Sequence, residues 1–230
     1  MIEIIDSDML GFYVEKYNLN QIFSDNLQGC MKLWKFNKGE HICRAGESIT
    51  KLYFLVSGKA KVYTILSNGK QLLLSFNNPL ELIGDLECIK LNTFHCSIQA
   101  IQETFCISVD LDIIRGRLMD DGKFLRYIIS SLGKKLTQNT DHNSINLLYP
   151  LENRLASYIL ATSVDDEGKE IEIIPDFNLT EISELLGTSY RHLLRTLTKF
   201  VEKGAVNKKN TSYEIIRRDI LKGLAGDLYE

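Results

Sequence analysis

At 230 residues the chain can form two small domains with a real core, and its make-up, 44% hydrophobic and 25% charged with three prolines, is that of an ordinary globular protein. No run of about 18 or more apolar residues occurs, and "MIEIIDSDMLGFYVEKYNLN" lacks a basic-then-apolar signal pattern, so the reading is a cytoplasmic protein with no membrane partner. A net charge of −3 excludes a generally sticky polycation, and five scattered cysteines with no CxxC (Cys30, Cys43, Cys88, Cys96, Cys106) suit reduced thiols better than a disulfide framework.

Residues 1–30 read as a short helical lead-in. From about 31 to 110 the pattern changes to short β-rich runs such as "KLWKF", "KLYFLVSGKAKVYTIL" and "KQLLLSF", punctuated by Gly39, Gly46, Gly58, Gly69 and Gly84. That spacing predicts a small antiparallel barrel or sandwich. Asn68-Gly69 predicts a two-residue hairpin with both central residues at positive φ.

From 111 to 146 the period becomes helical. Leu118, Leu125, Ile128, Ile129, Leu132 and Leu136 mark one apolar seam, weakened at Gly133, that can pack within the chain or against its own copy. The polar run "TQNTDHNS" is either a solvent-crossing helix or a hinge at a domain boundary. After Pro150 follow the helix "LENRLASYILATS", an acidic turn and short strand in "VDDEGKEIEII", two helices in "LTEISELLGTSYRHLLRTLTKFVEKGAV", and a hairpin in "AVNKKNTSYEIIR". The fold class is therefore α+β, with segments 1–117, 118–146 and 147–230.

The helix pair carries the functional signal. Asn178 stands three residues before Glu181 as in a capping box, Gly187 supplies the turn, and Thr188 or Ser189 can cap the second helix: a helix-turn-helix signature. On a helical wheel with Arg191 at zero, Arg195 lies at about 40°, Thr198 at about −20° and Lys199 at about 80°, while Leu193, Leu197 and Phe200 fall at roughly 180–240°. One face is core. The other presents two arginines, a threonine and a lysine, with Tyr190 and Arg191 on the first turn, the end that enters a major groove. An arginine can donate two parallel hydrogen bonds to guanine, Ser189 and the first amides can receive a phosphate, and Lys208 and Lys209 sit where a wing would follow the backbone. Between Thr188 and Arg218 eight basic residues face two acidic ones, a surplus that fits a polyanion-facing surface and equally a solvated helix face.

The β region "NKGEHICRAGESITKLYFLVSGKAKVYTILSNGKQLLLSF", the seam helix and "GTSYRHLLRTL" occur in one order, and that order resembles the Crp/Fnr family of bacterial transcription regulators. The string "SYRHLL", with "LENRLASYIL" upstream, is similar to the YeiL branch. The resemblance implies a cyclic-nucleotide-binding-type β-roll (a double-stranded β-helix), a dimerisation helix and a winged helix-turn-helix. It also implies a homodimer along 118–140, a palindromic site on double-stranded DNA and contact with RNA polymerase. By position, Tyr190, Arg191 and Arg195 take the base-contacting places and Ser189 a phosphate contact, with Thr188, Lys199, Lys208 and Lys209 beside them.

The departures bear on the effector. Cyclic-AMP-binding members hold the phosphate with a Gly-Glu pair and a later arginine. Here Gly84 and Asp85 are followed by Phe94, His95 and Cys96 where the arginine should be. A buried phosphate without a cation is strongly disfavoured, so the effector pocket, read as Gly84, Asp85, His95 and Cys96, is not expected to take cyclic AMP. The oxygen-sensing members' N-terminal cysteine cluster has no counterpart before Cys30, and the thiols read first as buried apolar groups. His41, His95, His142 and His192 show no metal-ligand spacing. No cofactor and no metal site are predicted, with an iron–sulfur cluster or haem left open. An enzyme is not expected, since no G-x-S-x-G, phosphate-cradling glycine loop or paired acid and base occurs. The alternative is an effector-binding β-roll module that regulates a protein partner.

Overall fold

The computed structural model describes residues 1–89, 92–163, 170–174, 178–209 and 212–226, with the side chains of 139–148 and 173–174 outside that description. The chain forms two compact units: Met1–Val62 with Asn77–Gln138, and Tyr63–Phe76 with Asn139–Glu230.

In the first unit β1 (Ile2–Ile4), a strand the sequence pattern does not announce, leads into α1 (Ser7–Lys16). Asp6 caps α1 by accepting from the backbone of Asp8 at 3.0 Å and Met9 at 2.9 Å. Along the chain then follow β2 (Met31–Phe36), β3 (His41–Cys43), β4 (Lys51–Ser57), β5 (Ala60–Ile65), β6 (Gln71–Asn77), β7 (Glu81–Ile83), α2 (Asp85–Ile89), β8 (Ser97–Ala100) and β9 (Thr104–Asp110), of which the end of β5 and nearly all of β6 are counted with the second unit. The strands form two antiparallel sheets, ordered β1-β2-β9-β4-β7 and β3-β8-β5-β6. Strand β4 is buried from Leu52 to Val56, which is why "LYFLV" is a continuous apolar run and does not alternate: it lies between β9 and β7. Its Phe54 and Val56 join Leu33, Phe36, Ile107 and Val109 in one core, to which Ile42, Ala60 and Ile98 contribute from the other sheet.

Gly58 ends β4 at φ +86, and a Cβ there would meet the Glu103 carbonyl and lie 2.7 Å from the Thr104 Cα, so only glycine fits. The hairpin at Asn68-Gly69 exists, but its turn is wider than predicted. Leu66 N donates to Lys70 O and Gly69 N to Leu66 O, both at 2.8 Å, and Gly69 alone has positive φ. Asn68 instead accepts from Lys70 N through its side chain at 3.0 Å, which favours the longer turn.

After β9 come a short turn of α3 (Leu111–Ile113), a π turn over Ile114–Leu118 and the long α4 (Gly122–Leu148). Asp121 caps α4, accepting from Lys123 N at 2.9 Å, and also holds Ser24 through its backbone N at 2.7 Å and its hydroxyl at 2.8 Å. The seam splits into two faces. Leu118, Phe124 and Ile128 enter the core, while Ile129 and Leu136 are 67% and 71% exposed. The run "TQNTDHNS" continues the helix without a break.

The second unit contains α5 (Leu151–Thr162), β10 (Ile173–Ile174), α6 (Leu179–Leu185), α7 (Tyr190–Glu202), β11 (Val206–Lys209), β12 (Ser212–Ile215) and α8 (Arg218–Ala225). The strands form a small sheet in the order β10-β12-β11. Much of the predicted acidic turn, 164–169, lies outside the described residues, as does the tip of the final hairpin, 210–211. The hairpin segment Tyr63–Phe76 belongs to this unit: the Phe76 ring lies 6.0 Å from that of Tyr158 on α5, and Leu72 Cδ1 would be 3.7 Å from a Cβ at Gly187.

Candidate nucleic-acid interface

The site is built on how α6 ends and α7 begins. Asn178 caps α6, accepting from Thr180 N at 3.1 Å and Glu181 N at 3.2 Å. At the other end Gly187 takes φ +59, so its own N–H reaches Glu184 O at 2.9 Å and that of Thr188 reaches Ser183 O at 2.8 Å. These paired bonds stop α6 and turn the chain sharply. Arg154 of α5, which sequence reasoning missed, holds the same corner by donating from Nη1 to Leu186 O at 2.6 Å. Its signal was only an arginine on the polar side of an amphipathic helix.

Ser189 then caps α7, accepting from His192 N at 3.2 Å, and the Thr188 hydroxyl lies 3.4 Å from His192 Nδ1. Leu193, Leu197 and Phe200 are fully buried beneath α7, and Thr196 joins them by donating its hydroxyl to His192 O at 3.0 Å. Arg191, Arg195, Thr198 and Lys199 all face solvent, with Ser189 exposed at the head of the helix. Tyr190 is 48% exposed and lies beside the wing, since the Tyr213 phenol of β12 is pushed up by burial and then by Tyr190. The burial of α7 follows the wheel drawn from the sequence.

The wing pairs Lys208 with Tyr213 and Lys209 with Ser212 across β11 and β12. Lys209 Nζ is bonded to Glu214 Oε1 at 2.9 Å, so its charge is partly answered within the wing. Three others in the basic surplus are also engaged. Lys203 pairs with Glu152 and Arg217 with Asp219. Arg218 is largely buried, donating to the Ser163 hydroxyl and carbonyl and to Ile171 O while facing Glu170. Among the described residues Arg191, Arg195, Lys199 and Lys208 make no ion pair. The outward charge is smaller and more localised than the raw count suggested.

Residues 33–121 match the cyclic nucleotide-binding domain family and residues 153–224 the Crp-like helix-turn-helix domain family. The regulatory protein YeiL of Escherichia coli O157:H7 is 32% identical over 203 residues, covering 88% of this chain and 90% of that protein. The chain belongs to the Crp/Fnr family. It is a Crp/Fnr-type transcriptional regulator with a helix-turn-helix DNA-binding domain, and the family's members are regulators, not enzymes. A cAMP-activated global transcriptional regulator of Mycobacterium tuberculosis is 24% identical, covering 77% of this chain and 80% of its own. In fold, a Crp/Fnr-family protein from Eubacterium rectale superposes with a TM-score of 0.73 at 19% identity, covering 90% of this chain and 93% of its own. A CRP-family regulator from Thermus thermophilus gives 0.67 at 18% identity, covering 86% and 98%.

Within this Crp/Fnr β-roll, the residues read as an effector pocket lie around the start of α2. Gly84 has φ +93, and a Cβ there would sit 3.0 Å from Ile49 Cδ1 and 3.6 Å from the ring of Phe94, which is itself buried. Asp85 is 3% exposed and already paired: Lys135 of α4 donates to both its oxygens and to Leu82 O at 2.6–2.9 Å, and the Ser131 hydroxyl donates at 2.9 Å. His95 is exposed, its backbone N–H donating to Glu87 Oε1 at 3.1 Å, and Cys96 is half-buried. Burial pushes the Cys43 thiol up to about 12 and that of Cys88 to about 11, which suppresses the thiolate that would ligate iron or react with an oxidant. Among the described residues no group of three or more His, Cys, Asp or Glu is placed to hold a metal ion, and no helix is long and apolar enough to cross a membrane.

Proposed function

We propose that the protein acts as a homodimer on a palindromic DNA site, reading bases with Arg191 and Arg195 and anchoring the phosphates with Ser189, Thr188, Lys199 and the wing lysines, Lys208 foremost. The observation that carries this is the exposed guanidinium pair on α7, without an ion pair among the described residues, held out by a fully buried apolar back and a capped first turn. Free charges and free amides at that end suit a duplex, because bases and phosphates can supply the partners the protein does not. The exposed Ile129 and Leu136 on α4 support pairing through that helix. RNA polymerase contact is the further step expected of a regulator of this kind.

Although the M. tuberculosis relative is described as cAMP-activated, we infer a different effector here. In sequence Phe94, His95 and Cys96 stand where the cyclic-AMP-binding members' arginine is expected, and Asp85 is committed to Lys135. In vitro selection of bound duplexes from a random pool, with protein purified with and without air, tests the reading. The expected result is a two-fold-symmetric site with half-site centres about 10–11 base pairs apart, unchanged by added cyclic AMP. Recovery of no common sequence overturns the proposal, and a difference between the two preparations would reinstate the thiols as sensors.

A further inference from the structure

The flank of α4 carries a half-open cleft of about 150 Å³ next to the Lys135–Asp85 pair. Its walls are Leu80 and Glu81 at the start of β7 and, from α4, Tyr127, Ser130, Lys134 and Gln138, with Ser131 and Lys135 at the edge nearest Asp85. The α4 residues follow a helical spacing of three and four, so they form one continuous face. On a wheel this face lies roughly 170° from the Ile129–Leu136 stripe, so a dimer formed through that stripe would leave the cleft open.

The lining is rich in hydrogen-bond donors whose capacity is unused. Lys134 is exposed and makes no ion pair or hydrogen bond among the described residues; neither do the side chains of Ser130 and Gln138, nor the Tyr127 hydroxyl. Lys135, by contrast, spends its three donors on Asp85 and Leu82. The acidic group is the Glu81 carboxyl, whose pKa is raised by burial against the lowering pull of Lys134, Lys135 and a hydrogen bond from the Asn78 backbone, with Asp85 adding to the rise. Leu80 and the ring of Tyr127 supply an apolar wall.

We propose that this cleft is a binding site for a small monocarboxylate, its carboxylate held by Lys134, Ser130, Tyr127 and Gln138 and its short apolar tail set against Leu80. The volume is enough to seat a small ligand of a few heavy atoms. Glu81 faces the same space, flanked by Lys134, Lys135, Asp85 and the Tyr127 phenol, and an anion bound beside it favours the protonated carboxyl. Binding therefore takes up a proton and weakens as the pH rises. The ligand would also touch Lys135 and Ser131, which pin α4 to the start of α2, so occupancy would bear on how α4 is held.

The test is a titration of the full-length protein with acetate, propionate and butyrate at fixed ionic strength, read by calorimetry and thermal shift, with sodium phosphate and sodium chloride as the other arms. Saturable binding of a monocarboxylate, weakened about tenfold or more in Lys134→Met and losing its pH dependence in Glu81→Gln, is the expected result. No saturation above chloride, saturation by phosphate alone, or an unchanged affinity in Lys134→Met each overturns it. Duplex binding is measured on the same samples, because loss of the cleft signal with DNA binding intact defeats this inference and leaves the DNA-binding proposal standing.

Discussion

Arg191 and Lys208 carry the same charge, and their surroundings predict different uses for it. Arg191 projects from the first turn of a capped helix, where a planar guanidinium can read a base edge. Lys208 projects from a strand of the wing, where a point charge can only follow the backbone. Arg191→Ala should cost about 1–3 kcal/mol at one base position per half-site. Lys208→Ala should weaken all sequences alike and lower the salt slope by about one. Binding isotherms on matched, mismatched and random duplexes at several salt concentrations separate the two. Asp121 gives a prediction of another kind. Hydrogen bonds, first from the Ser24 backbone, lower its pKa from 3.8 to about 2. A depressed folded-state pKa means stability that is fully present above about pH 4 and lost as the pH falls toward 2. Asp121→Asn should therefore be less stable than the parent at neutral pH, with the gap closing between pH 4 and 2 in urea titrations.

Among the elements, α4 and α7 show what local sequence pattern can and cannot reveal. In α7 polar and apolar residues separate so cleanly on the wheel that its buried and exposed sides were legible, because the helix has one core to face. In α4 the same kind of seam serves two masters: Phe124 and Ile128 are buried, Ile129 and Leu136 exposed, and periodicity alone cannot divide them. Ile129→Asp with Leu136→Asp should leave the fold intact, since neither side chain is buried in the single chain, while converting a dimer to a monomer by sedimentation. An unchanged mass would exclude this stripe as the pairing face. The bond from Lys135 to Asp85 spans 50 residues of sequence, and nothing local marks it. Likewise Arg217 and Arg218 look like their neighbours in a charge count, yet one is tied to Asp219 and the other folded against Ser163 and Ile171. At Asn68-Gly69 the hairpin was legible and its turn was not, because the Asn68 side chain offers the backbone a competing bond.

At the scale of the whole molecule the strand spacing, the seam helix and the helix pair were enough to order the architecture, since each depends on neighbours in sequence. What they did not reveal is that both compact units are discontinuous in sequence. Residues 63–76 include the end of β5 and nearly all of β6 but group with 139–230, where the Phe76 ring lies 6.0 Å from that of Tyr158 and Leu72 lies near the turn at Gly187. Transplanting residues 147–230 onto another sensor would therefore remove the Phe76 ring from beside Tyr158 and Leu72 from near Gly187. A chimera that carries residues 63–76 along as well should melt higher and stay soluble at greater concentration than one that omits them. Any ancestral exchange of DNA-reading halves would have met the same constraint, with the loop having to travel alongside the half it braces.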